Sequence, residues 1–256
     1  MSTLQFRDVG VDFGGVHALH GVSFDVESGR VVGLIGPNGA GKTTLINVTT
    51  GLVAPTTGSV TLDGAKLSGR RPHEIARLGV ARTYQNIRLF PRMTALQNVI
   101  VGATRIRRDP DLGAFVFLPA VRRMRIELEE HARYLLTRVG LPRHEWETSA
   151  NVLPYGSQRR VEIARALAMR PRVLLIDEPA AGMNPQETAN LKALIKSIAA
   201  EGVAVMLVEH DMPLVMGTCD HVAVLNFGEL IAQGSPAEVS RNPAVVEAYL
   251  GSEASS

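Results

Sequence analysis

The run Gly36-Pro37-Asn38-Gly39-Ala40-Gly41-Lys42-Thr43-Thr44 is the clearest chemical feature of the chain. Gly36 to Thr43 fits G-x-x-x-x-G-K-[ST], the phosphate-binding P-loop. The glycines let backbone N–H groups wrap closely around phosphate oxygens, and a following helix aims the positive end of its dipole at the same place. Lys42 would reach the β- and γ-phosphates and Thr43 would hold Mg²⁺. A second pair of candidates is Asp177-Glu178, which closes the apolar run Val173-Leu174-Leu175-Ile176. Open α/β sheets bind ligands at the carboxyl ends of their strands, so these acids should face the P-loop. Asp177 would hold Mg²⁺ through water, and Glu178 would orient or deprotonate an attacking water.

Those residues need a scaffold. Val31-Val32-Gly33-Leu34-Ile35 runs directly into the P-loop and reads as a fully buried strand, with a helix expected from Leu45. Val203 to Val208 is a third such strand, ending at Glu209-His210. Upstream, Val9, Val11 and Phe13 alternate, Gly14-Gly15 turns the chain, and Val22 to Val26 alternates again, so residues 4–27 read as short strands. Ser59-Val60-Thr61-Leu62, between Gly and Pro residues, reads as a hairpin. Residues 92–170 read as mostly helical, with Val121, Met124, Leu128, Leu135 and Val139 on one face. Strands alternating with helices predict an α/β fold with a largely parallel sheet and a helical insertion.

Composition narrows the function. The chain has 256 residues, of which 45% are hydrophobic and 20% charged, as in ordinary globular proteins. A formal charge of +2 gives no support to a bulk nucleic-acid binder. The one cysteine, Cys219, excludes an intrachain disulfide and a four-cysteine zinc site and reads as a small buried hydrophobe. No apolar run approaches the ~20 residues of a membrane span, and Met1 to Asp8 does not read as a signal peptide. The expectation is a cytosolic protein whose membrane role, if any, is peripheral.

Leu153-Pro154-Tyr155-Gly156-Ser157-Gln158-Arg159-Arg160-Val161-Glu162-Ile163-Ala164-Arg165-Ala166-Leu167 resembles the signature segment of ATP-binding-cassette ATPases, and it lies just upstream of the Asp-Glu strand as in that family. Gln85 resembles the family's Q-loop glutamine, Ala181-Gly182-Met183-Asn184 its D-loop, and His210 its switch histidine. Phe13 sits where the family has an aromatic that stacks on adenine. The resemblance covers nearly the whole chain. It implies a P-loop NTPase of the cassette type, with a RecA-like core, an N-terminal antiparallel β subdomain and a helical subdomain. The core would draw on residues 1–90 and 165–250, the helical signature subdomain on about 92–164, and 251–256 would form a frayed tail. It also implies ATP and Mg²⁺ as ligands, a Mg²⁺ and coupling role for Gln85, and a γ-phosphate contact for His210. The signature of one chain would close over ATP bound to a second ATPase subunit, identical or not.

The signature departs from the usual Leu-Ser-Gly-Gly-Gln at Pro154, Tyr155 and Ser157. Pro154 has neither hydroxyl nor N–H, so the N–H groups of Gly156 and Ser157 would carry the contact to the partner's γ-phosphate. Asn184 stands where the D-loop usually has aspartate. These departures, together with Tyr84 to Phe90, Pro179 to Pro185 and the ending Glu247-Ala248-Tyr249-Leu250-Gly251, are similar to one subfamily: the ATPase subunits of high-affinity branched-chain amino acid importers. That likeness implies a permease partner in the membrane, an indirect link to a substrate-binding protein, and a place on the cytoplasmic face of the inner membrane. Related systems carry amides or urea. A non-transport cassette ATPase acting on DNA or ribosomes usually has two cassettes or a long coiled-coil insertion, and this chain has neither. A regulatory module without turnover would be expected to lose Glu178 and His210. Residues 103–125 hold Arg105, Arg107, Arg108, Arg122, Arg123 and Arg125 around Phe115 to Leu118. This stretch is either a solvated basic face or a contact with a permease or anionic headgroups.

Overall fold

The computed structural model describes residues 3–104 and 119–253. The chain divides into two compact units, Met1–Arg82 with Arg172–Ser256, and Thr83–Pro171. The first unit opens with an antiparallel hairpin of β1 (Thr3–Phe13) and β2 (Val16–Glu27), followed by β3 (Val31–Ile35) and α1 (Lys42–Thr49). A second hairpin, β4 (Thr57–Leu62) and β5 (Ala65–Lys66), precedes α2 (Pro72–Arg77) and β6 (Val80–Arg82). The second unit contains α3 (Ala95–Thr104), α4 (Pro119–Arg138), a 3₁₀ turn at Arg143–Glu145 and α5 (Tyr155–Ala168). The chain then returns to the first unit through β7 (Val173–Asp177), α6 (Pro185–Ala200), β8 (Ala204–Val208) and α7 (Met212–Thr218). It ends with β9 (His221–Asn226), β10 (Glu229–Gly234), α8 (Pro236–Val239) and α9 (Pro243–Glu253).

Two sheets make up the first unit. The larger has the order β10-β9-β3-β8-β7-β6 and is parallel except for the edge strand β10. β3, β7 and β8 are buried at every position, which is why they read as unbroken apolar runs. The smaller sheet, β2-β1-β4-β5, is antiparallel. Its inner face carries Leu4, Phe6, Val22, Phe24 and Val60 into the same core cluster as Leu34, Leu175 and Met206. Phe6 and Phe24 stack there with ring centroids 4.5 Å apart. Cys219 is buried, and burial followed by the charge of Asp220 pushes its thiol up to about 12, so it stays an inert hydrophobe.

In the second unit α3, α4 and α5 pack on one another. Leu135 and Val139 of the expected helix face are buried, joined by Leu136. The side chain of Val121 lies outside the described residues. α3 starts on a reciprocal cap. The Gln97 N–H donates to Thr94 Oγ1 at 3.2 Å, and the Thr94 N–H to Gln97 Oε1 at 3.0 Å.

Some expectations need correction. α1 begins at Lys42 rather than Leu45, because Gly41, at φ 102°, ends the loop and places Lys42, Thr43 and Thr44 in the first helical turn. β6, β9 and β10 had not been anticipated. α9 runs to Glu253, three residues into the segment expected to fray. Arg105, Arg107, Arg108 and Phe115 to Leu118 lie outside the described residues, while Arg122, Arg123 and Arg125 are exposed on α4.

Candidate active site

β3 delivers the chain into the P-loop at Gly36. There φ is +149°, and a Cβ would collide with the Leu225 carbonyl of β9, so only glycine fits. The loop closes at Gly41, which caps α1 without any side-chain acceptor. The first N–H groups of the helix are thus left for an external anion. Lys42 is buried and folds back over the loop, donating from Nζ to the carbonyls of Gly36 at 2.6 Å and Pro37 at 2.8 Å. Burial lowers its pKa, while Glu178 and then Asp177 oppose that shift through their charge. Thr43 is exposed beside it and Thr44 half-buried, while Pro37, Asn38, Gly39 and Ala40 form the arch of the loop.

Asp177 closes β7. Its Oδ2 accepts from Arg82 Nη2 at 2.9 Å, and the same guanidinium donates from Nη1 to Asn47 Oδ1 of α1 at 2.8 Å. Arg82 therefore braces the P-loop helix against the acidic strand end. Glu178 follows in left-handed backbone, φ +42°, a conformation that costs an L-residue about 1–2 kcal/mol. Its N–H is tied to the Val208 carbonyl at 2.9 Å, which extends the pairing of β7 with β8 by one residue. At the end of β8 stands His210, 63% exposed, with Nδ1 3.8 Å from Glu178 Oε2. A carboxylate, an imidazole and the Lys42 ammonium thus share one unit with the P-loop. Phe13 ends β1 with its ring 51% exposed, open to stack on a flat ligand.

The D-loop residues Ala181, Gly182 and Met183 lead to Asn184, the cap of α6. Asn184 Oδ1 accepts from the Glu187 N–H at 2.9 Å, and Glu187 Oε2 accepts from the Asn184 N–H at 3.0 Å. An aspartate could cap in the same way, so the departure at Asn184 preserves the local structure.

Gln85 and the signature residues lie in the second unit. Gln85 is exposed. Leu153 is buried, Pro154 is the N-cap of α5, and Tyr155, Gly156 and Ser157 form its first turn, so their N–H groups lack intrahelical acceptors. Gln158 turns inward and donates from Nε2 to the Leu153 carbonyl at 2.8 Å. Arg159 is fully buried. It donates to the carbonyls of Tyr84 at 2.6 Å and Gln85 at 2.8 Å and pairs with Glu162 Oε2 at 2.7 Å. The other oxygen of Glu162 accepts from the Tyr84 and Arg88 N–H groups. Burial raises the pKa of Glu162 against the pull of Arg159. Asn98 of α3, also fully buried, exchanges hydrogen bonds with the backbone of Phe90. The sequence reading assigned no role to Arg82, Asn98, Arg159, Glu162 or Glu209.

Among the described residues no cluster of three or more His, Cys, Asp or Glu side chains is placed to hold a metal. That fits Mg²⁺, which takes one or two protein oxygens and completes its shell with phosphates and water. Thr43 and Asp177 are donors of that kind.

A family model described as "ABC transporter" matches residues 19–181, more than half of the chain. The chain belongs to the ABC transporter family. A second model, "Branched-chain amino acid ATP-binding cassette transporter", matches residues 229–255 of this cassette. The cassette is 47% identical over 249 residues to BraF of Pseudomonas aeruginosa, a high-affinity branched-chain amino acid transport ATP-binding protein, covering 97% of each chain. LivG of Escherichia coli K12, which bears the same description, is 42% identical over 240 residues, 93% of this chain and 94% of that one. An ABC transporter cassette solved in its ADP conformation superposes with a TM-score of 0.84 at 31% identity, over 98% of this chain and 99% of that one. The cassette is an ABC-type ATPase. Among its described residues no helix is long and apolar enough to cross a membrane.

Proposed function

We propose that this ATPase is the energising subunit of a high-affinity importer of branched-chain amino acids. It would act from the cytoplasmic face of the inner membrane on a separate permease that receives its cargo from a substrate-binding protein. The observation that carries this reading is the continuity of the match to BraF, 97% of each chain at 47% identity, joined to the C-terminal match over residues 229–255.

Phosphates bind in the loop Gly36–Thr44, where Lys42 exchanges two carbonyl acceptors for the β- and γ-phosphates, and Phe13 stacks on the adenine. Thr43, Asp177 through water, and Gln85 are the residues that would hold Mg²⁺, which would neutralise charge on the phosphates. Glu178 accepts the proton of the attacking water as its oxygen bonds to the γ-phosphorus and the bond to ADP breaks. His210 holds the γ-phosphate oxygens. The N–H groups of Gly156 and Ser157 at the start of α5 close on the nucleotide held by a second ATPase subunit, and Ala181–Asn184 line that seam. The test is reconstitution with a permease and binding protein of the branched-chain amino acid type. Leucine, isoleucine or valine uptake and a rise in ATPase rate on adding the loaded binding protein are expected. Stimulation only by an unrelated solute, such as an amide or urea, would refute the substrate assignment and leave the ATPase standing.

A further inference from the structure

Glu209 stands between Val208 and the histidine assigned to the γ-phosphate, yet the hydrolytic scheme gives it nothing to do. Its side chain is 1% exposed. Oε1 accepts from the Ala180 N–H at 3.1 Å, and Oε2 accepts from the N–H groups of His210 at 3.1 Å and Asp211 at 3.4 Å. Ala180 lies two residues after Glu178 on the loop that leads to Asn184, whereas His210 and Asp211 leave the next strand of the sheet. One buried carboxylate therefore ties together the two loops that carry the candidate base and the candidate γ-phosphate ligand. The His210 ring is held between acids, its Nδ1 lying 3.8 Å from both Glu178 Oε2 and Glu209 Oε2.

A buried carboxylate is costly unless charge-assisted hydrogen bonds offset its lost hydration; three N–H donors from two loops oppose that cost here, although burial still raises the Glu209 pKa. An apolar side chain would fill the same space but leave those donors orphaned. A neutral amide would turn its NH₂ toward at least one of them. Glu178 also sits in a left-handed backbone that local structure must maintain. The Glu209–Ala180 bond is a side-chain tether of the loop that follows it, and the Glu178–Val208 bond is a backbone one. Asp211 is turned away, capping α7 through the Leu214 N–H at 2.9 Å.

Resting on the site assignment above, we infer that Glu209 is a positioning residue that latches the loop after Glu178 to the segment carrying His210, so that the two groups meet the γ-phosphate in a fixed mutual geometry. The role is distinct from binding nucleotide, which belongs to the P-loop, and from accepting the proton, which belongs to Glu178.

The experiment compares wild type, Glu209→Gln, Glu209→Thr, Glu178→Gln and the double variant Glu178→Gln/Glu209→Gln in the assembled transporter, with MgATP as the probe. In either Glu209 variant kcat should fall about 10- to 100-fold, the range found when a group supporting a reactive residue is removed. KM for MgATP should move by less than about threefold. Adding Glu209→Gln to Glu178→Gln should cost less than it does in the wild type, because one of the two groups that the latch positions is already gone. A kcat loss in the double variant equal to the product of the two single losses would overturn the inference, as would a parallel rise in KM with a lowered melting temperature. Wild-type kcat in the Glu209 variants beside an inactive Glu178→Gln would also overturn it and leave the site assignment intact. Wild-type kcat in Glu178→Gln would instead overturn the assignment itself.

Discussion

Glu178 and Glu162 are both carboxylates at points that matter, and the protein handles them differently. Glu178 is partly open to solvent, sits in left-handed backbone at the end of β7, and has His210 Nδ1 3.8 Å away. Glu162 is fully buried on α5, salt-bridged to Arg159 at 2.7 Å, and accepts from the backbone of residues 84 and 88 with its other oxygen. The first acid, the proposed base, is held in place at a structural cost. The second gives up any reactivity and holds a loop to a helix. The proposed chemistry therefore sits on strand ends of the first unit, and the helical unit is organised by buried polar contacts such as Arg159–Glu162.

That contrast can be broken at Arg159. Arg159→Met takes the cation from buried Glu162 and removes the donor to the Tyr84 and Gln85 carbonyls and the Tyr155 hydroxyl. Breaking one side of a buried pair costs about 3–5 kcal/mol, read as a lowered denaturant midpoint. The loss should depend on pH. Burial raises the pKa of folded Glu162 above its unfolded value, so the stability linked to its protonation is present at low pH and fades as pH rises through the raised value. Without Arg159 that effect grows, so the variant should lose more stability at pH 7.5 than at pH 5. Equal losses at the two pH values would mean that Glu162 is not charged in the native pair.

A smaller effect sharpens the comparison at the N-terminus of α5. Pro154 caps this helix without a side-chain acceptor. Pro154→Ser supplies one and should add about 1 kcal/mol to the helix or to the ATP-closed pair of subunits. The readouts are thermal melting and ATP-dependent association. A destabilised variant would mean that the rigid entry provided by proline outweighs the missing cap.

What the sequence made legible divides along the same line. The P-loop, the acids after β7 and the histidine after β8 are short motifs attached to unbroken apolar strands, and all the information needed to read them is local. The structure brings Lys42, Asp177, Glu178 and His210 into one unit, and Gln85 with Leu153–Gln158 into the other. Arg159 was visible only as part of a motif string, because its partners at Tyr84 and Gln85 are 75 and 74 residues away. Arg82 and Asp177, 95 residues apart, are a second case. β9 and β10 escaped notice for another reason. Polar residues flank the apolar centre of β9, and β10 is a half-exposed edge with neither a continuous run nor a clean alternation. The start of α1 was misplaced because Gly41 acts as a backbone cap, which leaves no side-chain signal.

The central claim is that hydrolysis runs through Glu178 on a nucleotide cradled by the P-loop. Glu178→Gln keeps the size and the backbone of the residue and removes only the base. In the purified transporter the account predicts a fall in ATP turnover of about 10²–10⁴-fold, with MgATP affinity unchanged and the subunit pair held closed by uncleaved ATP. Turnover at the wild-type rate in that variant would contradict it.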